Sequence, residues 1–229
     1  MLTLLLPLLL AAGFEAERVL AVVNGVPVLA SDADLAQAGA LIPREAGESD
    51  SAYRRATVDA LVQLELRWQD LEAASLVSKV TVDFDAAWTA TVNRAGGAGA
   101  LAERLASIGL PESALRALVR RAAVVEAYVA TRFEPFVRPS PAEVEKAWQA
   151  EFAPKFKAAG KPVPELSAVR SELEALLRER KLADEVDGWT AELAKRAEIV
   201  RYLGPEGAGG TVPAAGQTPT PNGSALPPW

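Results

Sequence analysis

The sequence contains neither histidine nor cysteine. Without histidine, the chain lacks the side chain that most often acts as a general acid or base near neutral pH. Without cysteine, it can form no disulfide bond, thiolate nucleophile or thiolate zinc site, so packing alone must hold the fold together. The two absences exclude most of the common catalytic centres, although chemistry by Asp, Glu, Ser, Lys or Tyr stays open.

Positive charge is also scarce, because 24 Lys and Arg face 30 Asp and Glu and give a formal net charge of −6. No basic patch with interleaved aromatic residues is present, so nucleic acid is not expected as a partner. The 229 residues, of which 50% are hydrophobic, are sufficient for a globular protein with a buried core.

The first residues form an apolar run that is too short to span a bilayer and that ends in small residues. Ala11 and Gly13 have the spacing of a cleavage site, so residues 1–13 are predicted to be a signal peptide. The alternative is a buried N-terminal helix. The signal peptide predicts export, and because no later segment is expected to cross a membrane, the mature protein is expected to have no stable membrane insertion.

A β-hairpin is predicted at the start of the mature chain. Asn24 and Gly25 separate two runs rich in β-branched residues, 19–23 and 26–29, and Asn-Gly favours the type I′ turn of a tight hairpin. Pro27 cannot donate a ladder hydrogen bond, so the second strand is expected at a sheet edge.

Helical signals occupy most of the remaining chain. Apolar residues recur at intervals of three and four, and capping residues or Pro mark several starts, such as Ser31 and the pair Ser140-Pro141. A strand is predicted over 199–203, a linker over 153–164 and a disordered tail rich in Pro and Gly over 204–229. The predicted helices are 31–40, 51–75, 83–94, 100–108, 111–133, 141–152 and 165–198.

Residues 17–34, with the sequence ERVLAVVNGVPVLASDAD, resemble the opening of the N-terminal domain of SurA-type periplasmic chaperones. The similarity continues through the long helix, the shorter helices and the segment RPSPAEV at 138–144. The helix and strand at 169–203 resemble the C-terminal part that returns to complete the same module. The resemblance implies one domain over 14–203, made of an N-terminal part, 14–152, and a returning part, 165–203.

In full-length relatives of that family a parvulin-type prolyl isomerase domain lies between the two parts, and here only the short segment 153–164 takes its place. Parvulin sites are also typically lined by His, which this chain lacks. The resemblance therefore implies a mainly α-helical chaperone module with a small antiparallel sheet, formed by the N-terminal hairpin and the C-terminal strand, and without the isomerase domain.

Carboxylate pairs were considered as catalytic or metal-binding groups. In each pair the partners are two residues apart and do not share a helix face, and three pairs lie at predicted helix starts, where acids suit the helix dipole. The later ligands of a calcium loop do not follow Asp32, and the Gly-rich run 96–99 has no Lys-Ser/Thr after it. No catalytic, metal or cofactor site is predicted. The pairs are Asp32/Asp34, Asp83/Asp85, Glu143/Glu145 and Glu172/Glu174.

Five aromatic residues near the predicted linker are the candidates for peptide binding. Large flat side chains could line an apolar groove that holds extended segments of unfolded polypeptides. The alternative is that they pack the junction between helices. The candidates are Phe133, Phe136, Trp148, Phe152 and Phe156.

The expected function is ATP-independent binding of unfolded or outer-membrane-bound polypeptides in the periplasm, with unfolded or nascent exported chains as partners and no cofactor. One alternative is a member of the prolyl isomerase family with residual or assisted activity. Another is a structural module of a cell-envelope assembly. The identity of the clients and the oligomeric state stay open.

Overall fold

The computed structural model describes residues 17–202. These residues form a mainly α-helical body with one small antiparallel sheet, which confirms the fold class expected from the sequence. The predicted signal peptide, residues 1–13, and the predicted tail, residues 204–229, lie outside the described residues. Within 17–202, no helix is both long enough and apolar enough to cross a membrane.

The sheet joins the two ends of the described chain. Strand β1 (Val19–Val23) lies between β2 (Val26–Leu29) and β3 (Ile199–Arg201), and both pairings are antiparallel. Asn24 and Gly25 have φ values of 49° and 84°, as the predicted turn requires. The hairpin and the returning C-terminal strand are thus confirmed.

The edge position of β2 is confirmed as well, because only β1 pairs with it. Pro27 therefore lies where its missing N–H group interrupts no central ladder. The core face of the sheet is supplied mainly by β1, in which Leu20, Ala21 and Val23 are fully buried.

Seven of the predicted elements appear as helices within a few residues of their expected ends. The 24-residue α2 begins after Ser49, whose side chain accepts a hydrogen bond from the Ala52 N–H group. The helices are α1 (Ala30–Ala38), α2 (Asp50–Ala73), α3 (Phe84–Arg94), α4 (Ala98–Ile108), α5 (Glu112–Phe133), α6 (Pro141–Ala147), α7 (Ala153–Ala158) and α8 (Leu166–Arg196), with short 3₁₀ turns at Val77–Lys79 and Glu134–Phe136.

The start of α1 differs from the sequence prediction. Ser31 was expected to cap it, but the helix begins at Ala30 with Leu29 in the cap position. The carboxylate of Asp32 accepts a hydrogen bond of 2.8 Å from the Leu29 N–H group. An acid inside the first turn therefore satisfies the backbone donor, and no side chain is needed at the cap.

The predicted linker over 153–164 was wrong in its first half. The segment Trp148–Phe152 continues α6 as a π-helical turn, and α7 follows without a break. Pro154 lies in the first turn of α7, directly after the π-helical turn. The wider turn brings Trp148 and Phe156 to a centroid separation of 6.2 Å, so packing favours helix where composition predicted a loop.

Two hydrophobic clusters stabilise the described residues. The main cluster contains buried side chains of the sheet, α1, α2, α4 and α5, together with Leu193 near the end of α8. The second is much smaller and has four buried members. We call the segment 141–177 that surrounds it the small lobe. The four members are Val144, Ala147, Trp148 and Leu173.

Helix α8 belongs to both clusters. Its 31 residues extend over about 46 Å, with Leu173 in the small lobe and Leu193 in the main cluster. Between these contacts, Lys181 and Arg180 form ion pairs with Glu143 and Glu151 at 2.6 Å and 2.7 Å. The apolar residues of α8, predicted as one stripe, therefore serve two separate cores.

Candidate functional site

The structure divides the five candidate aromatic residues among three places. Trp148, Phe152 and Phe156 belong to the core of the small lobe, and Trp148 is only 9% exposed. All three side chains pack within this cluster, while Phe152 and Phe156 stay partly exposed, so a role in peptide binding stays a prediction. A buried indole is already covered by its own chain and offers no free face to a client.

Phe133 lies at the end of α5 and packs elsewhere. Its ring contacts Trp189 of α8 at a centroid distance of 5.7 Å, and Tyr128 contacts the same indole at 5.6 Å. The Trp189 Nε1–H group donates a hydrogen bond of 3.2 Å to the Asp70 carboxylate of α2. This group of aromatics therefore fixes α8 against α5 and α2.

Phe136 differs from the other four, because its side chain is 83% exposed. It lies on the 3₁₀ turn Glu134–Phe136, directly after α5. Pro135, within the turn, and Pro139, just after it, restrict the backbone on both sides, so the phenyl ring is carried on a constrained segment. Of the five candidates, this is the residue whose apolar face is open to solvent.

A cleft lies next to this turn. It has a volume of about 460 Å³ and runs between the end of α5 and the middle of α8. Ala130 and Pro135 contribute apolar surface, and Glu134, Arg138 and Arg178 contribute charge. The size is within the range of ligand-binding clefts, and the shape is open rather than enclosed.

The two arginines of this cleft differ from most others in the chain. Across residues 17–202, Arg138 and Arg178 take part in no ion pair, side-chain hydrogen bond or ring contact, although arginines elsewhere on α5 and α8 do. Glu134, in the same cleft, has no such partner either. The cleft thus carries two guanidinium groups and one carboxylate that are not used by the fold.

A second groove lies between α3 and α5, with a volume of about 390 Å³. Alanine is the most frequent residue in its walls, so the two helices approach without filling the space between them. Arg94 and Glu126 are its opposing charges, and loss of hydration lowers the pKa of Arg94 and raises that of Glu126. The groove is apolar but carries a complementary pair of charges of its own.

In each acidic pair singled out from the sequence, at least one carboxylate makes a structural contact. Asp34 pairs with Arg54, and the side chain of Asp83 accepts the Ala86 N–H group at the start of α3. Glu143 accepts hydrogen bonds from Ser140 and Lys181, which lower its pKa to about 2. Over the described range, no group of three or more acidic residues is arranged to hold a metal ion.

A buried polar network lies inside the main body. Glu65 is almost fully buried, pairs with Arg121 and accepts a hydrogen bond of 2.7 Å from Gln69, which in turn donates to the Val23 carbonyl. The Arg121 guanidinium also stacks over the Trp68 ring. This network joins α2, α5 and β1, and within the described residues its one buried side-chain atom without a hydrogen-bond partner is Arg121 Nε.

The same helix α2 carries a second buried charge on its α8 side. Arg67 is 5% exposed, and its Nε–H group donates to the Thr190 hydroxyl at 2.8 Å. Burial lowers its pKa to about 10. An arginine remains charged at neutral pH at that value, so Arg67 serves as a hydrogen-bond donor rather than as a base.

Sequence reasoning did not find Arg138, Arg178 or the α3–α5 groove. The two arginines are far apart in sequence and line one cleft only because α8 returns across the end of α5. A run of exposed charge on a helix carries no signal that distinguishes a binding residue from a solvated one. The exposed Phe136 between two prolines was the only local indication.

Comparison with known proteins adds no family assignment. The chain matches no protein-family model, and it matches no curated protein.

Proposed function

We propose that this protein is an ATP-independent periplasmic chaperone of the SurA type that binds unfolded or outer-membrane-bound polypeptides. The observation that supports the proposal is Phe136, which is 83% exposed and directly follows Pro135, a residue that lines an open cleft. Covering an exposed phenylalanine with an apolar partner removes its ring from water and so favours binding. An unfolded chain offers apolar side chains at many places.

The arrangement of the sheet also supports the resemblance. In the SurA-type module the C-terminal segment returns to complete the N-terminal domain, and here β3 pairs with β1 from Ala21–Arg201 to Val23–Ile199. The small lobe, 141–177, includes the end of the first part, the segment 153–164 and the start of the second part, and full-length relatives of the SurA type carry their isomerase domain at this place in the chain.

The expected affinity follows from the size of the contact. Full burial of one phenylalanine contributes about 1.5–3 kcal/mol, whereas micromolar binding needs about 8 kcal/mol. Binding must therefore combine several weak contacts along the client. Release is then fast, and no nucleotide is needed to drive it.

The test is suppression of aggregation of an unfolded outer-membrane protein, followed by light scattering at several-fold molar excess of the chaperone. We expect Phe136→Ser to weaken suppression, because the change removes the apolar ring without disturbing a packed residue. Tyr202→Ser is the matched control, since Tyr202 is an exposed aromatic residue at the end of β3.

Failure of the wild-type protein to suppress aggregation would refute the proposal. Equal loss of activity in both variants would indicate that Phe136 has no special role. A proline-limited refolding assay on the same preparation distinguishes holding from prolyl isomerisation, because only isomerisation accelerates the slow refolding phase.

A further inference from the structure

The charged side chains of the cleft beside Pro135 do not balance one another and make no ion pair within the described residues. Arg138 and Arg178 line it against the single carboxylate of Glu134, and among residues 17–202 none of the three has an ion-pair or hydrogen-bond partner for its side chain. The local excess is therefore one positive charge, in a chain whose formal net charge is −6. The cleft has the opposite sign to the protein around it.

We propose that the cleft selects polypeptide segments in which an apolar side chain lies within a few residues of Asp or Glu. The apolar side chain packs on Ala130 and Pro135, next to Phe136, and the carboxylate pairs with Arg138 or Arg178. This inference rests on the proposed function, because it names the class of segment that the chaperone holds.

The choice of a carboxylate follows from the chemistry of arginine. The guanidinium group presents donors in a planar fork that matches a carboxylate in a two-point contact. Arginines elsewhere on the same helices are already engaged: Arg180 pairs with Glu151, and Arg132 stacks near the Phe133 ring. Arg138 and Arg178 retain their donors for a partner from outside the fold.

The negative net charge of the protein distinguishes local binding of acidic segments from a general electrostatic attraction. A net charge of −6 repels acidic peptides at long range, so a preference for acid can arise only from local contacts. At physiological ionic strength the screening length is about 8 Å. Salt therefore weakens the long-range repulsion between the protein and an acidic peptide more than it weakens an ion pair in direct contact. The preference should therefore be measurable near physiological salt.

The probe is a short fluorescein-labelled peptide of Gly and Ser that carries one Leu-Val pair flanked by Asp. Two otherwise identical peptides carry Asn or Lys in place of Asp. Fluorescence anisotropy gives the affinity of each for the full-length protein. Contacts with two exposed arginines should favour the Asp peptide over the Asn peptide by roughly fivefold, and the Lys peptide should bind most weakly.

Three variants test the residues. Arg138→Gln combined with Arg178→Gln should abolish the preference for Asp but retain binding of the Asn peptide. Glu134→Gln should increase the preference, because it removes the one negative charge of the cleft. Arg55→Gln is the control, since Arg55 is an exposed arginine of α2 that is not part of the cleft.

The outcomes separate this inference from the proposed function. Equal binding of the Asp and Asn peptides overturns the inference and leaves chaperone binding intact. A preference that survives loss of both arginines, or that Arg55→Gln removes equally, also overturns it, because overall charge would then be the cause. Binding of none of the peptides, together with no suppression of aggregation, overturns both proposals.

Discussion

Trp148→Ala should loosen the small lobe without unfolding the main body. The indole is 9% exposed and is the largest buried side chain of a cluster that has only three other buried members. Replacing a buried Trp by Ala costs about 3–5 kcal/mol when the surroundings cannot collapse. We take the lower end, about 3 kcal/mol, because Phe152 and Phe156 are half-buried neighbours that can move into the space.

A loss of about 3 kcal/mol corresponds to a roughly hundredfold increase in the population of the open lobe. Native-state hydrogen exchange with mass spectrometry measures that population for each segment. Peptides from 141–177 should therefore exchange roughly a hundredfold faster in the variant, whereas peptides from 50–73 in α2 should keep their protection. The contrast arises because α2 is held by the main cluster alone.

Phe136→Ala is the control for this experiment, since it removes an aromatic ring that packs against neither cluster. It should leave exchange unchanged in both segments. If Trp148→Ala accelerates exchange equally in 50–73 and 141–177, the two clusters unfold as one cooperative unit and the reasoning is wrong. Unchanged exchange in 141–177 would equally contradict it, because the indole would then contribute nothing to the lobe.

Three further predictions concern the scaffold. A Cβ atom at Gly39 would lie 2.9 Å from Leu115 Cδ1, so the effects of Gly39→Ala and Leu115→Ala on the free energy of unfolding should not add. In urea unfolding, the double variant should be about 1–2 kcal/mol more stable than the sum of the two single effects predicts. Additive effects would contradict the contact. Lys181 and the capping contacts with Ser140 lower the pKa of Glu143 from 4.5 to about 2. The ionised carboxylate therefore stabilises the folded small lobe fully above pH 4.5, and this contribution is lost as the pH falls toward 2. Hydrogen exchange in 141–177 should rise over that pH range in the wild type but not in Glu143→Gln. Gly188→Ala should stabilise the protein by about 0.5–1 kcal/mol, because Gly188 lies inside α8 and a Cβ atom there has no neighbouring atom within 4 Å. The expected result is a higher urea midpoint of unfolding, and a lower midpoint would refute the prediction.

The sequence predicts most of the fold because the decisive signals are local. The Asn24-Gly25 turn and the Ser140-Pro141 helix start each depend on residues adjacent in the chain, and both appear in the structure as expected. The apolar spacing of α2 likewise depends on one helix only. Signals of this kind do not need knowledge of the partner element.

The candidate site was less predictable because it depends on tertiary packing. The spacing of α8 predicts an apolar face, but it does not reveal that Leu173 and Leu193 pack into different clusters. For the same reason, Trp148 and Phe136 could not be distinguished as buried and exposed. The cleft that combines Arg138 with Arg178 exists only after α8 has returned along α5.

The pairing of β1 with β3 has a consequence for the order of folding. Val22 lies opposite Val200, so the central strand of the sheet obtains its second neighbour from almost the far end of the described chain. During synthesis, which begins at the N-terminus, β1 and β2 are made early. The second edge of β1 has no hydrogen-bonding partner until Ile199–Arg201 has been made. A translation pause or a truncation before residue 199 should leave that edge free to pair with another molecule.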